Sequence, residues 1–176
     1  MGVAVYDASC LFAKHARYLL LGFAVHGIVQ ARWSRRLLEE TAGSLARKLH
    51  GDSLEDLGRW LKNEADLVRD GLVDGYEGWI EQINLPDADD AHVVAAAIES
   101  GATTIVTSNL RDFPDKELSR FSITATDPDE FALGCINANP VLATRIVSDH
   151  PSPDLFLDRL EASLPRTAEL LKALLA

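Results

Sequence analysis

Apolar and polar positions along the chain fall into short blocks whose period switches between two and about three and a half. VAVYDAS (3–9) alternates Val3 and Val5 with smaller or polar neighbours and ends on Asp7, which predicts a short strand. Residues 14–26 carry Leu19, Leu20, Phe23 and Ala24 at helical spacing, and GIVQARWS (27–34) follows as a second strand around Ile28 and Val29. Ser34 is a suitable N-cap for a helix in which Leu37, Leu38, Thr41 and Leu45 form one stripe. A further helix is predicted over about 53–70, where Leu54, Leu57, Leu61 and Leu67 recur. LVDGYEGWIEQI (72–83) fits either a helix end or a loop leading to a strand near Ile80–Ile83.

The next blocks are sharper. Asp87 can cap a helix from 88 to 99 that turns Val93, Val94, Ala97 and Ile98 inward, and Gly101 ends it. TTIVTSN (103–109) and FSITAT (121–126) predict two more strands, and DPDEF (127–131) opens a helix with Asp127 as N-cap and Pro128 at its first position. Strands alternating with helices imply an α/β fold: a central parallel sheet covered on both faces. From about 137 only amphipathic helices remain, separated by turns that contain proline. The expected organisation is a domain over 1–133 and a C-terminal helical extension over 134–176. The extension is too small to stand alone, so it should pack on the domain, on a partner or on a second copy.

Composition changes this picture little and charge changes it more. A chain of 176 residues, 47% hydrophobic and 25% charged, suits one folded domain with a small appendage. YLLLGFAVHGIV (18–29) falls short of the roughly 18 to 20 apolar residues of a spanning helix, so no membrane segment is expected. No small-residue cleavage site follows that run, and Cys10 and Cys135 lie far apart, which points to reduced thiols and a cytoplasmic protein. The formal net charge of −10 argues against binding nucleic acid by bulk electrostatics. A nucleic-acid function would have to rest on a local site.

LPDADDAHV (85–93) places three aspartates, Asp87, Asp89 and Asp90, within four positions. An N-cap and the helix dipole account for part of that crowding. In an open parallel sheet, however, functional groups gather at the carboxyl ends of the strands. Asp7 ends the first strand, Asn109 and Asp112 follow the TTIVT strand, and Asp89 and Asp90 open a helix beside the sheet. Glu40 lies two turns into the helix after Ser34, on the side of Leu37. These candidates come from four separate segments. Arg32, Arg35, Arg36, Arg47 and Lys48 cluster around the Glu40 helix, where they are either its solvated face or contacts for phosphates. His92 reads as a packed or surface histidine, and the Leu and Val stripes as core.

Taken together, VYDAS, WSRRLLEET, LPDADDAHVVAAAIESGA, VTSNLRDF and TDPDEF resemble the PIN-domain superfamily, and within it the VapC-like toxin ribonucleases of toxin–antitoxin pairs. The resemblance covers roughly residues 3–133. It implies an endoribonuclease that depends on Mg2+ or Mn2+, with the family's acidic quartet falling on Asp7, Glu40, Asp90 and Asn109. The fourth position is usually acidic, so Asn109 departs from the pattern; Asp112 is placed to supply the missing charge and Asp89 to assist Asp90. Thr107 and Ser108 are candidates for orienting water or a phosphate, and Arg32, Arg35 and Arg36 for binding RNA. The residue types suit a hard divalent cation, which prefers carboxylate oxygens and relieves repulsion among them. The resemblance also implies RNA as substrate, a cognate antitoxin whose basic character would suit the acidic surface, and compatibility with a homodimer.

Two other functions fit parts of the chain. One is a binding or assembly module with a PIN-like fold in which Asn109 marks a decayed site. The other is a phosphotransfer or phosphatase domain, which needs a nucleophilic aspartate with a lysine near a strand end; Asp7 fits, but Lys116, the nearest lysine, lies in a predicted loop.

Overall fold

The computed structural model describes residues 2–48, 63 and 66–176. Among these, five strands form one all-parallel sheet in the order β3-β2-β1-β4-β5, flanked by helices. The strands are β1 (Val3–Tyr6), β2 (Gln30–Ser34), β3 (Leu72–Val73), β4 (Thr104–Val106) and β5 (Thr124–Thr126). A one-turn α1 (Ala8–Leu11) and then α2 (Lys14–Val25) lead from β1 to β2, and α3 (Arg35–Lys48) follows β2. Helix α4 (Ala91–Glu99) precedes β4, and the short α5 (Asp115–Leu118) lies between β4 and β5. After β5 come α6 (Pro128–Ala138), α7 (Pro140–Ser148), α8 (Pro153–Leu160) and α9 (Pro165–Leu175). The strand order runs β3-β2-β1 and reverses between β1 and β4. Such a switch point leaves a crevice beyond the carboxyl ends of the two strands on either side of it.

The predicted elements appear with adjustments that have local causes. Strand β2 starts at Gln30, later than the Ile28–Val29 expected, because α2 ends in a Schellman motif. Ile28 N–H donates to the Phe23 carbonyl at 2.8 Å and Gly27 N–H to that of Ala24 at 3.0 Å, with Gly27 at φ +75. Ile28 is thereby spent on the helix stop. Ser34 caps α3, accepting from Leu37 N–H at 3.2 Å. Of the helix expected over 53–70, residues 53–62, 64 and 65 lie outside the described residues, and 66–70 form turns. No strand forms near Ile80–Ile83: Leu72–Val73 pairs with β2, and Glu77–Gln82 is a 3-10 helix. That turn packs Trp79 and Ile80 against Tyr76, Ala95 and Ala96, and Trp79 Nε1 donates to Glu99 at 2.8 Å. The Asp87 cap is present, accepting from Asp89 N–H at 2.9 Å; residues 88–90 form a 3-10 turn that runs into α4, and Gly101 at φ +66 closes it.

The C-terminal helices pack on the domain itself. Ala132, Ile136, Ile146, Phe156, Leu160 and Leu171 belong to the same buried cluster as Val5, Leu19, Phe23 and Ile105. Helix α7 comes close to α2 at Gly22, where an added Cβ would stand 2.8 Å from Ile146 Cγ2. Asp129 then anchors the last helix: its carboxylate accepts the backbone N–H groups of Arg166 (3.0 Å) and Thr167 (2.9 Å) at the start of α9. Both are orphan donors of a helix N-terminus, so one buried acid satisfies two of them. Cys10 and Cys135 are both free and buried. Among the described residues no helix is long and apolar enough to cross a membrane.

Candidate active site

A cleft of about 970 Å³ opens at the switch point, lined among others by Asp7, Glu40, Asp90, Asn109, Arg36 and Arg47. Each wall follows from local structure. β1 delivers Asp7 at its carboxyl end, and β4 delivers Thr107, Ser108 and Asn109 at its own. Helix α3 presents Arg36, Glu40, Gly43, Ser44 and Arg47 along one stripe, while Leu37, Thr41 and Leu45 point to the interior. The 3-10 turn ahead of α4 brings Asp90 to the rim. Three acids predicted from separate segments, Asp7, Glu40 and Asp90, therefore line one cavity.

Asp7 is 6% exposed and tightly held. Its Oδ2 accepts from Ser9 Oγ at 2.6 Å and from Thr107 Oγ1 at 2.8 Å. The same two hydroxyls order the loop after β4: Ser9 Oγ accepts Ser108 N–H at 2.9 Å, and Thr107 Oγ1 accepts Asn109 N–H at 3.0 Å. Thr107 thus orients a carboxylate and its own loop, and the part of Ser108 in this network is its backbone. Ser9 was not singled out from the sequence. Its position two residues after Asp7, at the start of a helical turn, was the available signal.

Glu40 is held by two donors that converge on one oxygen. Arg36 Nε reaches Oε1 at 2.9 Å, and His92 Nε2 reaches it at 3.1 Å. Burial alone would raise the Glu40 carboxyl, but hydrogen bonds and charge from His92 and Arg36 outweigh it and hold it below the usual carboxylate range. Of the packed and surface placements open to His92, the structure has the packed one, at 1% exposure, and the sequence pattern does not signal its tie to Glu40. Its Nδ1 is buried and has no hydrogen-bond partner among the described residues. Asp90 has the opposite environment. Burial, then the charges of Asp7, Asp87 and Asp112, push its carboxyl up to about 6, against a lowering pull from His92.

The remaining candidates divide. Asn109 lines the cleft, whereas Asp112 does not and bears on Asp90 through its charge. Asp112 N–H donates to the Asn109 carbonyl at 2.9 Å, and its carboxylate stands 3.7 Å from Arg111. Asp89 is 92% exposed, with its backbone carbonyl bound to Arg36 at 3.1 Å. Arg36 and Arg47 reach the cleft, while Arg32 bonds Ala31 and Gln30 and Arg35 lines a separate hollow beside Trp33.

The donor chemistry suits a hard divalent cation: all the acids offer oxygen, and the Asp90 carboxyl is raised first by burial and then by the charges of Asp7, Asp87 and Asp112, which such an ion would offset. Spacing is looser. Among the described residues no three acidic, histidine or cysteine side chains stand at metal-ligand distance, and Glu40 Oε1 is engaged by Arg36 and His92.

The family described as PIN domain matches residues 4–111, the stretch that contains Asp7, Glu40, Asp90 and Asn109. Over 102 residues the chain is 33% identical to "Putative ribonuclease VapC50" of Mycobacterium tuberculosis (strain ATCC 25618 / H37Rv), a match covering 53% of this chain and 60% of that protein. No solved structure matches the chain. PIN domains typically bind divalent metal. With the switch-point acids, the parallel sheet and the family match over more than half its length in agreement, the chain belongs to the PIN-domain family.

Proposed function

We propose that the chain is a metal-dependent endoribonuclease, the toxin of a toxin–antitoxin pair, in which Asp7, Glu40 and Asp90 hold Mg2+ or Mn2+. The observation that carries this is the shared cleft: three carboxylates from three elements face one cavity, and one of them is raised to about 6 by burial and the acids around it. The name of the VapC50 relative points to the same activity. When bound, the cation would neutralise the scissile phosphate and lower the pKa of an attacking water.

The protein groups have separable tasks. Ser9 and Thr107 fix the Asp7 carboxylate, so its free lone pairs face the cleft without reorganisation. His92 holds Glu40 at the rim. The Asn109 side-chain amide, neutral where an acid is usual, has donors for a phosphate oxygen, and Asp112 adds negative charge behind Asp90. Arg36 and Arg47, on the α3 face that also brings Glu39 and Glu40 to the cleft, grip phosphates on either side of the cut as two local contacts in a chain of net charge −10. An antitoxin with a basic segment suits the acidic end of the cleft and would exclude metal or RNA.

The deciding experiment is cleavage of a fluorescent RNA by the purified chain in Mn2+, beside Asp90→Asn. Cleavage that needs the metal and is lost in the variant supports the proposal; equal rates for both chains would overturn the ligand assignment. Neutral Asn109 and the loose carboxylate spacing favour a second possibility, a non-catalytic binding module. That module would gain no thermal stability from millimolar Mn2+.

A further inference from the structure

Arg36 makes an i,i+4 pair with Glu40, an arrangement that on most helix surfaces is a minor, screened contact. Three features set this one apart. Its acceptor oxygen is shared with His92, which is buried and comes from α4. Arg36 Nη2 crosses from α3 to the acid turn, donating to the Asp89 carbonyl at 3.1 Å with the Asp89 carboxylate at 3.9 Å. And the guanidinium lines the same cleft as Asp7 and Asp90, so a positive charge already stands among the carboxylates that repel one another there.

The two donors on Glu40 differ in what they can do. His92 is enclosed at 1% exposure and has nowhere else to go. Arg36 is 44% exposed, has a long flexible stem, and is bonded to groups at the cleft rim that water or a phosphate can replace. A guanidinium released from a carboxylate carries the fork of donors that matches a phosphate.

We propose that Arg36 is a placeholder cation: it holds Glu40 in the metal-free protein, yields that carboxylate to a divalent ion, and passes its own guanidinium to an RNA phosphate. This inference rests on the metal-dependent nuclease proposed above. Metal and RNA binding are then coupled through one side chain. Arg36 opposes the cation, by competing for Glu40 and by like charge, and favours the RNA. His92 stays on Glu40 in both states and keeps it aimed at the cleft.

The opposed signs give the test. Mn2+ binding to the intact chain without RNA is measured by the loss of the free-ion electron paramagnetic resonance signal, for wild type and for Arg36→Gln and Arg36→Met, the latter keeping an apolar stem. Both variants are expected to bind Mn2+ about two- to fivefold more tightly, the range for a half-exposed charge pair. Binding of a 2′-O-methyl RNA oligonucleotide, which resists cleavage, is then followed by fluorescence anisotropy with and without Mn2+. Wild type should bind it more tightly with the ion, and the variants should lose most of that gain. Mn2+ affinity in the variants equal to or weaker than wild type overturns the placeholder role, as does an unchanged gain in RNA affinity. Failure of the wild-type chain to bind Mn2+ up to millimolar concentration is a different result, and sinks the metal-dependent function along with the placeholder.

Discussion

Thr107 Oγ1 donates to Asp7 Oδ2 at 2.8 Å across a separation of 100 residues, tying the carboxyl ends of β1 and β4 at the point where the strand order reverses. Both groups are buried, so the bond fixes the carboxylate and closes the crevice floor together. Thr107→Val keeps the shape and removes the donor. It should cost about 2 kcal/mol in urea unfolding, as expected for a hydrogen bond to a charged group, and should reduce RNA cleavage as well. Stability unchanged within error would show that Ser9 alone suffices.

Asp90 makes the metal-free protein pH-sensitive in a definite direction. Burial and the charges of Asp7, Asp87 and Asp112 raise its carboxyl from 3.8 to about 6. Above about 6 the folded state carries an ionised group that the unfolded chain tolerates better. As pH falls between about 6 and 3.8 the folded protein takes up the proton first, and the cost disappears. Asp90→Asn should therefore stabilise the metal-free chain at pH 7, and the difference in urea midpoint should shrink toward pH 4.

A divalent ion that binds the folded chain and not the unfolded one must raise stability. At a concentration one hundred times its Kd, Mn2+ should add about 2.7 kcal/mol, read as a rise in Tm. Asp7→Asn should remove most of that rise and lower cleavage by about a hundredfold or more, exceeding the usual cost of losing an orienting partner. Circular dichroism would check that the variant stays folded.

His92→Leu separates orientation from stability. The variant loses the Nε2 contact to Glu40 but also removes a buried Nδ1 that has no partner among the described residues. The two effects oppose each other, so stability should stay within about 1 kcal/mol of wild type. Cleavage should fall by about tenfold, and Mn2+ should bind more weakly as Glu40 loses its fixed donor. A residue that served packing alone would leave Mn2+ affinity unchanged.

Asp129 offers a control far from the cleft in role. It satisfies the first backbone donors of α9 through both carboxylate oxygens, and Thr167 Oγ1 donates to its carbonyl at 3.2 Å. Asp129→Ala should destabilise the chain by about 2–4 kcal/mol, with the loss seen first as proteolysis near the start of α9. Mn2+ affinity of the folded fraction should not change.

Local chemistry written into the chain decided which elements form. Ser34, Asp87 and Asp127 each cap a helical turn, Gly101 stops α4, and strands that alternate with helices imply a covered parallel sheet. Asp7, Glu40, Asp90 and Asn109 were legible as candidates for the same reason: each sits at an element end or on a helix face that the periodicity defines. Where the pattern misled, a local geometric competitor won. Ile28 went to the Schellman stop of α2, and the Trp79–Ile80 turn found its apolar partners on α4 without extending into a strand. Tertiary structure alone decided which side chains meet. That Thr107 and Ser9 share Asp7, that His92 and Arg36 share one oxygen of Glu40, and that Arg32 and Arg35 stand away from the cleft depends on distances between segments far apart in the chain. Capping and periodicity act over a few residues, and such distances are set only when the sheet closes its order and the helices pack against it.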